Sequence, residues 1–323
     1  AAARRGIPAL LVRYASSSAE SDAWTRRGKT AYSLESGVLG WARRRFARFY
    51  PRHELQTPWG RQLFYSLWDS AALALAGMAN LQPWVVGGGK VAAVAVQGEA
   101  DLQEALSLCD DAAPRFHVTG QPSWDGMAAR RLQARAAPGV AAGGQKLKLK
   151  LVCALPQWGE HLQLPWPEHM ARIRSLFEIL QATQCDVSLS LHPKASREIY
   201  EPLAAQYGLR LAQHALSTIL PEADIFVASW SSTLRWSAML GIASVNLDWA
   251  GQNYALFSAL PSLRLSHGPS DLPPMLAELV HTAQERSALG ARLQQESLVY
   301  GKIDGQAGQR VFSLLSNLTK GQP

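Results

Sequence analysis

The chain has 323 residues, 47% of them apolar and 18% charged, with a net charge of +7. That length supports two compact domains with cores of their own, and no run approaches the ~18 to 20 apolar residues of a membrane span. Three widely separated cysteines, Cys109, Cys153 and Cys185, follow no metal spacing, and Cys153 and Cys185 read as packed thiols of a reducing cytoplasm.

The chain does not begin with Met and shows no signal peptide. Residues 1–6 read as the tail of a helix already under way, so a strand and a helix are expected upstream and the first domain is expected to be truncated. Residues 7–12 predict a short strand. The polar loop after it carries Ser16, Ser17, Ser18, Glu20 and Asp22. Strand-end loops of this kind line clefts in open α/β sheets, which makes Glu20 or Asp22 a candidate general base. The same cluster also fits a helix cap.

Residues 31–80 predict helices broken at Pro51 and Pro58, with a buried helix over 63–78. Much of the positive charge is concentrated here, in Arg43, Arg44, Arg45, Arg48 and Arg52, interleaved with Trp41, Phe46, Phe49 and Tyr50. This is a basic helix face in solvent or a peripheral membrane patch at an anionic surface. No nucleic-acid-binding motif accompanies it, so nucleic acid is not an expected partner. Gly87-Gly88-Gly89-Lys90 lacks the spacing and the Ser/Thr of a phosphate loop and reads as a tight entry to the strand 91–96.

A helix is expected over 99–108. Residues 115–118 read as a strand ending in Thr119-Gly120-Gln121-Pro122, a sharp turn of the kind that faces a ligand. Residues 134–146 shift to Ala, Gly and Pro, which marks a linker. The expected organisation is a first α/β domain over 1–135, a linker over 136–147, a second domain over 148–300 and a closing helix in 301–323.

The second domain opens with a strand over 148–155 and the loop Pro156-Gln157-Trp158-Gly159-Glu160-His161, the usual opening of a nucleotide-binding α/β unit, with Gln157 and His161 as ligand candidates. Helix 170–180, strand 186–191, helix 199–207, strand 209–211, a short helix 218–223, strand 225–228, helix 231–240, strand 243–247 and a long helix 271–293 follow. Two turns stand out. His192-Pro193-Lys194 ends one strand; the proline fixes the backbone, so His192 can donate to a phosphate or act as a general acid, with Lys194 adding charge. Ser229, Ser231, Ser232 and Thr233 surround a helix start, a ready anion site.

His-Pro at one strand end, Ser-Ser-Thr before a Gly-bounded helix, the Thr-Gly-Gln-Pro turn and Asp304-Gly305 before a final helix together resemble B-type-fold glycosyltransferases. They are similar also to non-hydrolysing UDP-N-acetylglucosamine 2-epimerases and to transferases of capsule and surface polysaccharide. The resemblance implies two Rossmann-like domains with an interdomain cleft, the closing helix packing back on the first domain. It implies a nucleotide-sugar donor held by His192, Ser231, Ser232 and Thr233, and a saccharide or lipid-linked acceptor. One departure is that these families often carry a ribose-binding Glu in the helix after the hydroxyl turn, where this chain has Leu234-Arg235-Trp236-Ser237; Arg235 is then a phosphate candidate. No Asp-x-Asp metal motif, HExxH or zinc spacing occurs. The expectation is metal-independent glycosyl transfer in surface-polysaccharide or glycolipid synthesis, with no cofactor, in the cytoplasm or at the inner face of the membrane. The alternatives are a sugar-nucleotide epimerase and an inactive nucleotide-sugar-binding or scaffold protein.

Overall fold

The computed structural model describes residues 5–14, 18–109, 115–136, 148–193, 195–252 and 257–320. The chain divides into two compact units, Ala1–Gln121 with Ala307–Pro323, and Pro122–Gln306. Residues 137–147, most of the expected linker, and Lys194 lie outside the described residues.

The first unit is built on a parallel three-stranded sheet in the order β1-β4-β5, with β1 Leu10–Val12, β4 Ala93–Val96 and β5 Phe116–Val118. Strand β4 is apolar throughout and completely buried, as a central parallel strand covered on both faces must be. Its Val94 and Val96 pack with Val85 and Phe116, and with Leu11 and Leu102 at the margin. Helix α1 (Ala19–Arg26) follows β1, and α4 (Glu99–Leu108) follows β4. Arg13, buried just past β1, pairs with Asp101 at 3.2 Å and Glu104 at 3.6 Å on α4 and so ties the strand to the helix.

The stretch 31–80 is not uniformly helical. It holds α2 (Gly40–Phe49), an antiparallel hairpin of β2 (Glu54–Thr57) and β3 (Gly60–Leu63), and α3 (Leu67–Leu75). Pro58 and Gly60, the latter at φ +101°, make the hairpin turn. Thr57 Oγ1 closes it by accepting from Trp59 N and donating to the Gly60 carbonyl. The expected buried helix over 63–78 is instead the shorter α3, in which only Ser70 is buried.

The second unit opens with α5 (Asp125–Ala136), a helix the sequence did not announce, in residues it assigned to the first domain. The Arg131 guanidinium holds this helix to the second unit by donating to the carbonyls of Pro221, Ala223, Leu240 and Gly241. The sheet is parallel and six-stranded, in the order β11-β10-β9-β6-β7-β8. Its strands are β6 Lys150–Ala154, β7 Asp186–Ser190, β8 Arg210–Leu211, β9 Ile225–Ala228, β10 Ala243–Leu247 and β11 Arg264–Ser266. The last, Arg-Leu-Ser, has a single apolar residue and carried no sequence signal. Helices α6 (Trp166–Ala182), α7 (Arg197–Gln206), α8 (Leu216–Ile219) and α9 (Thr233–Met239) connect them.

The long helix expected over 271–293 is two, α10 (Leu272–His281) and α11 (Ala283–Glu296), broken at the extended Thr282. Arg286 makes the break stable by donating to the Leu279 carbonyl that α10 leaves open. Helix α12 (Ala307–Thr319) closes the chain and belongs to the first unit, where Arg310 Nε donates to the Thr119 carbonyl at 2.7 Å. No helix among the described residues is long and apolar enough to cross a membrane.

Candidate functional site

In the second unit the chain runs outward from β6 through β7 to β8, then returns and runs the other way from β9 through β10 to β11. The reversal lies between β6 and β9, paired at Leu151↔Ile225 and Cys153↔Val227. Connections leave in opposite directions there, so the loops part beyond the carboxyl ends of the strands, and that is where open α/β sheets bind ligands. The residues at this edge follow β6 (Gln157 to Glu160), β9 (Ser229 to Thr233), β10 (Asp248, Trp249) and, one strand over, β7 (His192, Pro193).

The turn after β9 is held from several sides. Trp230 sits at φ +43°, a region that side chains other than glycine rarely occupy. Its amide donates to Asn246 Oδ1 at 2.9 Å, its indole Nε1 to Asp248 Oδ1 at 2.8 Å, and its ring stacks on Phe257 at 5.8 Å. Ser229 serves as a tie between strands, since its Oγ accepts from Trp158 Nε1 at 2.9 Å and donates to the Leu247 carbonyl at 2.7 Å. Ser231 and Thr233 share a hydroxyl contact at 2.8 Å, and both, with Ser232, are half-buried at the sheet edge. Arg235, the phosphate candidate, is directed into packing, with its guanidinium 4.1 Å from the Tyr300 ring centroid. His192 and Pro193 are exposed at the end of β7. Gln157 is half-buried; His161 is exposed, and its amide donates to the Gln157 carbonyl.

The loop after β6 carries a buried polar cluster that sequence reasoning passed over. Tyr200 donates its hydroxyl proton to Glu160 Oε1 at 2.5 Å, so His169 Nε2 is the donor in the 2.8 Å contact with the Tyr200 oxygen. His169 is fully buried, in contact with the rings of Trp158, Trp166 and Tyr200. Burial pushes its pKa down, with Glu160 opposing, and pushes that of Tyr200 up, with Glu160 adding to the effect. Trp158 stacks on Trp249, whose indole donates to Ser266 Oγ. The available signal was Gly159: a Cβ there would lie 2.5 Å from the Trp166 ring, so only glycine fits.

In the first unit, Gly120 makes the turn after β5 at φ +79°. The amides of Thr119 and Gly120 both donate to the Val96 carbonyl, and Thr119 Oγ1 donates to the Gly120 carbonyl at 2.9 Å. Gln97 and Gln121 converge on the Tyr14 carbonyl at 3.0 and 3.4 Å. Gln121 Oε1 is buried without a hydrogen-bond partner among the described residues. Glu20 and Asp22 lie in the first turn of α1, whose cap is Ser18 accepting from Ser21 N. Glu20 is exposed; Asp22 is half-buried and 3.7 Å from Arg26, and burial raises its pKa against the pull of that arginine. Ser16 and Ser17 lie outside the described residues. Among the described residues no three His, Cys, Asp or Glu side chains converge as a metal site would require.

No protein-family model matches the chain, and no curated protein matches it in sequence. Solved structures do. Two variant structures of the wall teichoic acid polymerase TagF match over 72% of this chain and 59% of theirs, each at a TM-score of 0.50 and at 12% and 11% identity. A putative UDP-N-acetylglucosamine 2-epimerase from Listeria monocytogenes matches at a TM-score of 0.48 and 14% identity, over 72% of this chain and 61% of that one. The chain thus spans about three fifths of the length of these proteins. At such identities the likeness to TagF speaks to the fold, an α/β chain of two Rossmann-like units, the B-type glycosyltransferase architecture.

Proposed function

We propose that the second unit binds a nucleotide-activated sugar and that the chain is a metal-independent glycosyltransferase of surface-polysaccharide or glycolipid synthesis, working on the cytoplasmic side. The observation that carries this reading is the reversal of strand order between β6 and β9, with polar loops from β6, β7, β9 and β10 gathered at that edge. Ser231, Ser232 and Thr233 take the donor's phosphates. His192 donates to the leaving phosphate and offsets its growing charge. The aromatic ties of Trp158, Trp230 and Trp249 hold these loops rigid, as a site needs. On the first unit, which is assigned the saccharide or lipid-linked acceptor, Asp22 is the better base candidate, because burial moves its carboxyl toward the working range.

The test is a thermal-shift series with UDP, CDP, GDP and CMP derivatives on the wild type and His192→Ala. One nucleotide class is expected to stabilise the wild type, by about 2.7 kcal/mol at a hundredfold excess over Kd, and to stabilise the variant less. Stabilisation by none of them refutes the donor site. Stabilisation unchanged in His192→Ala refutes the role of that histidine.

A further inference from the structure

Helix α2 buries one side and leaves the other uncovered. Gly40, Arg43 and Ala47 face inward, where Ala47 packs with Leu34 and Leu63. Arg43 is occupied there by the carbonyls of Ser33 and Ser36, and Arg44 donates to the Leu34 carbonyl. Trp41, Arg45 and Phe49, spaced four apart on the opposite side, point outward with Arg48 beside them. Trp41 is 62% exposed and Phe49 67%, and the Arg45 guanidinium lies 5.9 Å from the Phe49 ring centroid. The neighbouring α3 exposes Trp68 and Leu75, at 75% and 90%. From residue 36 to residue 53 the sequence contains no Asp or Glu.

Large apolar side chains left in water in one region mark a contact surface. We propose that the outer face of α2, with the exposed side chains of α3, docks on an anionic phospholipid bilayer. Tryptophan and phenylalanine settle at headgroup depth, while arginines between them meet lipid phosphates along their own apolar stems. Charge alone would also suit an acidic protein or a nucleic acid. A nucleic acid would engage Arg45 and Arg48 and stack on Trp41 and Phe49 but has no place for the aliphatic Leu75, and an acidic protein would need a matching apolar patch of its own, whereas a bilayer takes both kinds of side chain. The surface belongs to the first unit alone, and its occupant does not depend on what the second unit binds.

The purified chain is sedimented with phosphatidylcholine vesicles with and without phosphatidylglycerol. Wild type is expected to bind the anionic vesicles and to bind the neutral ones far more weakly. Arg45→Gln with Arg48→Gln is expected to weaken binding about fivefold per arginine, roughly 25-fold together, at low salt, and to differ little from wild type at high salt. Trp41→Ser with Phe49→Ser is expected to weaken binding at both salt levels. All four positions are exposed, and far-UV circular dichroism confirms that the variants are folded. Wild type that stays in the supernatant with anionic vesicles overturns the proposal. So does a Trp41→Ser, Phe49→Ser variant that binds as wild type does while the arginine variant fails, since that pattern belongs to a polyanion.

Discussion

Arg131 sits against the carbonyl ends of two helical segments at once. Its guanidinium reaches Pro221 and Ala223 at 3.0 and 2.9 Å in the turn after α8, and Leu240 and Gly241 at 3.0 and 3.3 Å at the end of α9. Among the described residues no carboxylate is one of its hydrogen-bond partners, and the cation is held by backbone acceptors that the helices leave open. Burial lowers the Arg131 pKa to about 10, with Arg135 adding to the effect and Asp224 opposing, so charge at this position is disfavoured by its surroundings. Arg131→Met removes that penalty but exposes the other side of the balance. Leu240 keeps a donor in Arg135, at 3.2 Å, whereas the carbonyls of Pro221, Ala223 and Gly241 each lose one. At about 2 kcal/mol for each lost bond to a charged group, the three orphaned carbonyls outweigh a relief of roughly 3 kcal/mol from removing the disfavoured charge, and a net loss of about 2 to 3 kcal/mol is expected. With a urea m-value of about 2 to 3 kcal/mol/M, the midpoint of the second unit's transition should fall by about 1 M, while that of the first unit stays in place. Arg131→Lys should recover less than half of the loss, because an ammonium cannot span two helix ends. A midpoint for Arg131→Met equal to that of wild type would refute the reasoning.

Other outcomes follow from the same geometry. Ser229→Ala should cost about 1 to 3 kcal/mol in denaturation, because Trp158 Nε1 and the Leu247 carbonyl lose their shared partner; Ser231→Ala should instead leave stability nearly unchanged and reduce nucleotide-induced stabilisation, and the reverse pattern would exchange their roles. Gly290→Ala places a Cβ 2.5 Å from the Gly241 carbonyl oxygen and should destabilise by about 1 to 3 kcal/mol; a neutral result would show that α11 can shift freely. His53 and His169 are buried, and burial lowers both pKa values from the ordinary 6.5. As pH falls below about 6.5 the unfolded chain takes up protons that the folded chain resists, so stability is fully present above that pH and declines beneath it. Stability measured from pH 7.5 down to 5.5 should slope less in His53→Gln and in His169→Gln than in wild type, and equal slopes would remove both histidines from the account.

Apart from β11, the strands of the second unit were legible from sequence to within a few residues because most of them are apolar runs separated by helix-length segments, the signature of a parallel sheet. The helix break at Thr282 was not, since residues 271–293 keep an apolar spacing that says nothing of the cap supplied by Arg286. The hairpin of β2 and β3 was hidden by its surroundings: Trp, Arg and Ala on either side read as helix, and Pro58 and Gly60 as mere breaks. At the site, hydroxyl residues were visible as a cluster, but spacing could not tell the tie, Ser229, from its neighbours. The Glu160–Tyr200–His169 cluster joins residues from the β6 loop, α7 and α6, and no local pattern brings them together.

The hydrogen bond from Arg310 to Thr119 bridges 191 residues. The second unit is therefore an insertion within the first, and the order in which a ribosome delivers the two matters. All six strands of the second sheet are consecutive in the chain, so that unit can consolidate as it emerges, whereas the first must hold its three-stranded sheet ready until α12 arrives. During synthesis the unit that emerges first is thus the later one to finish. A chain interrupted before Ala307 should yield a sound second unit attached to a first unit still open at Thr119, the form a protease would attack first.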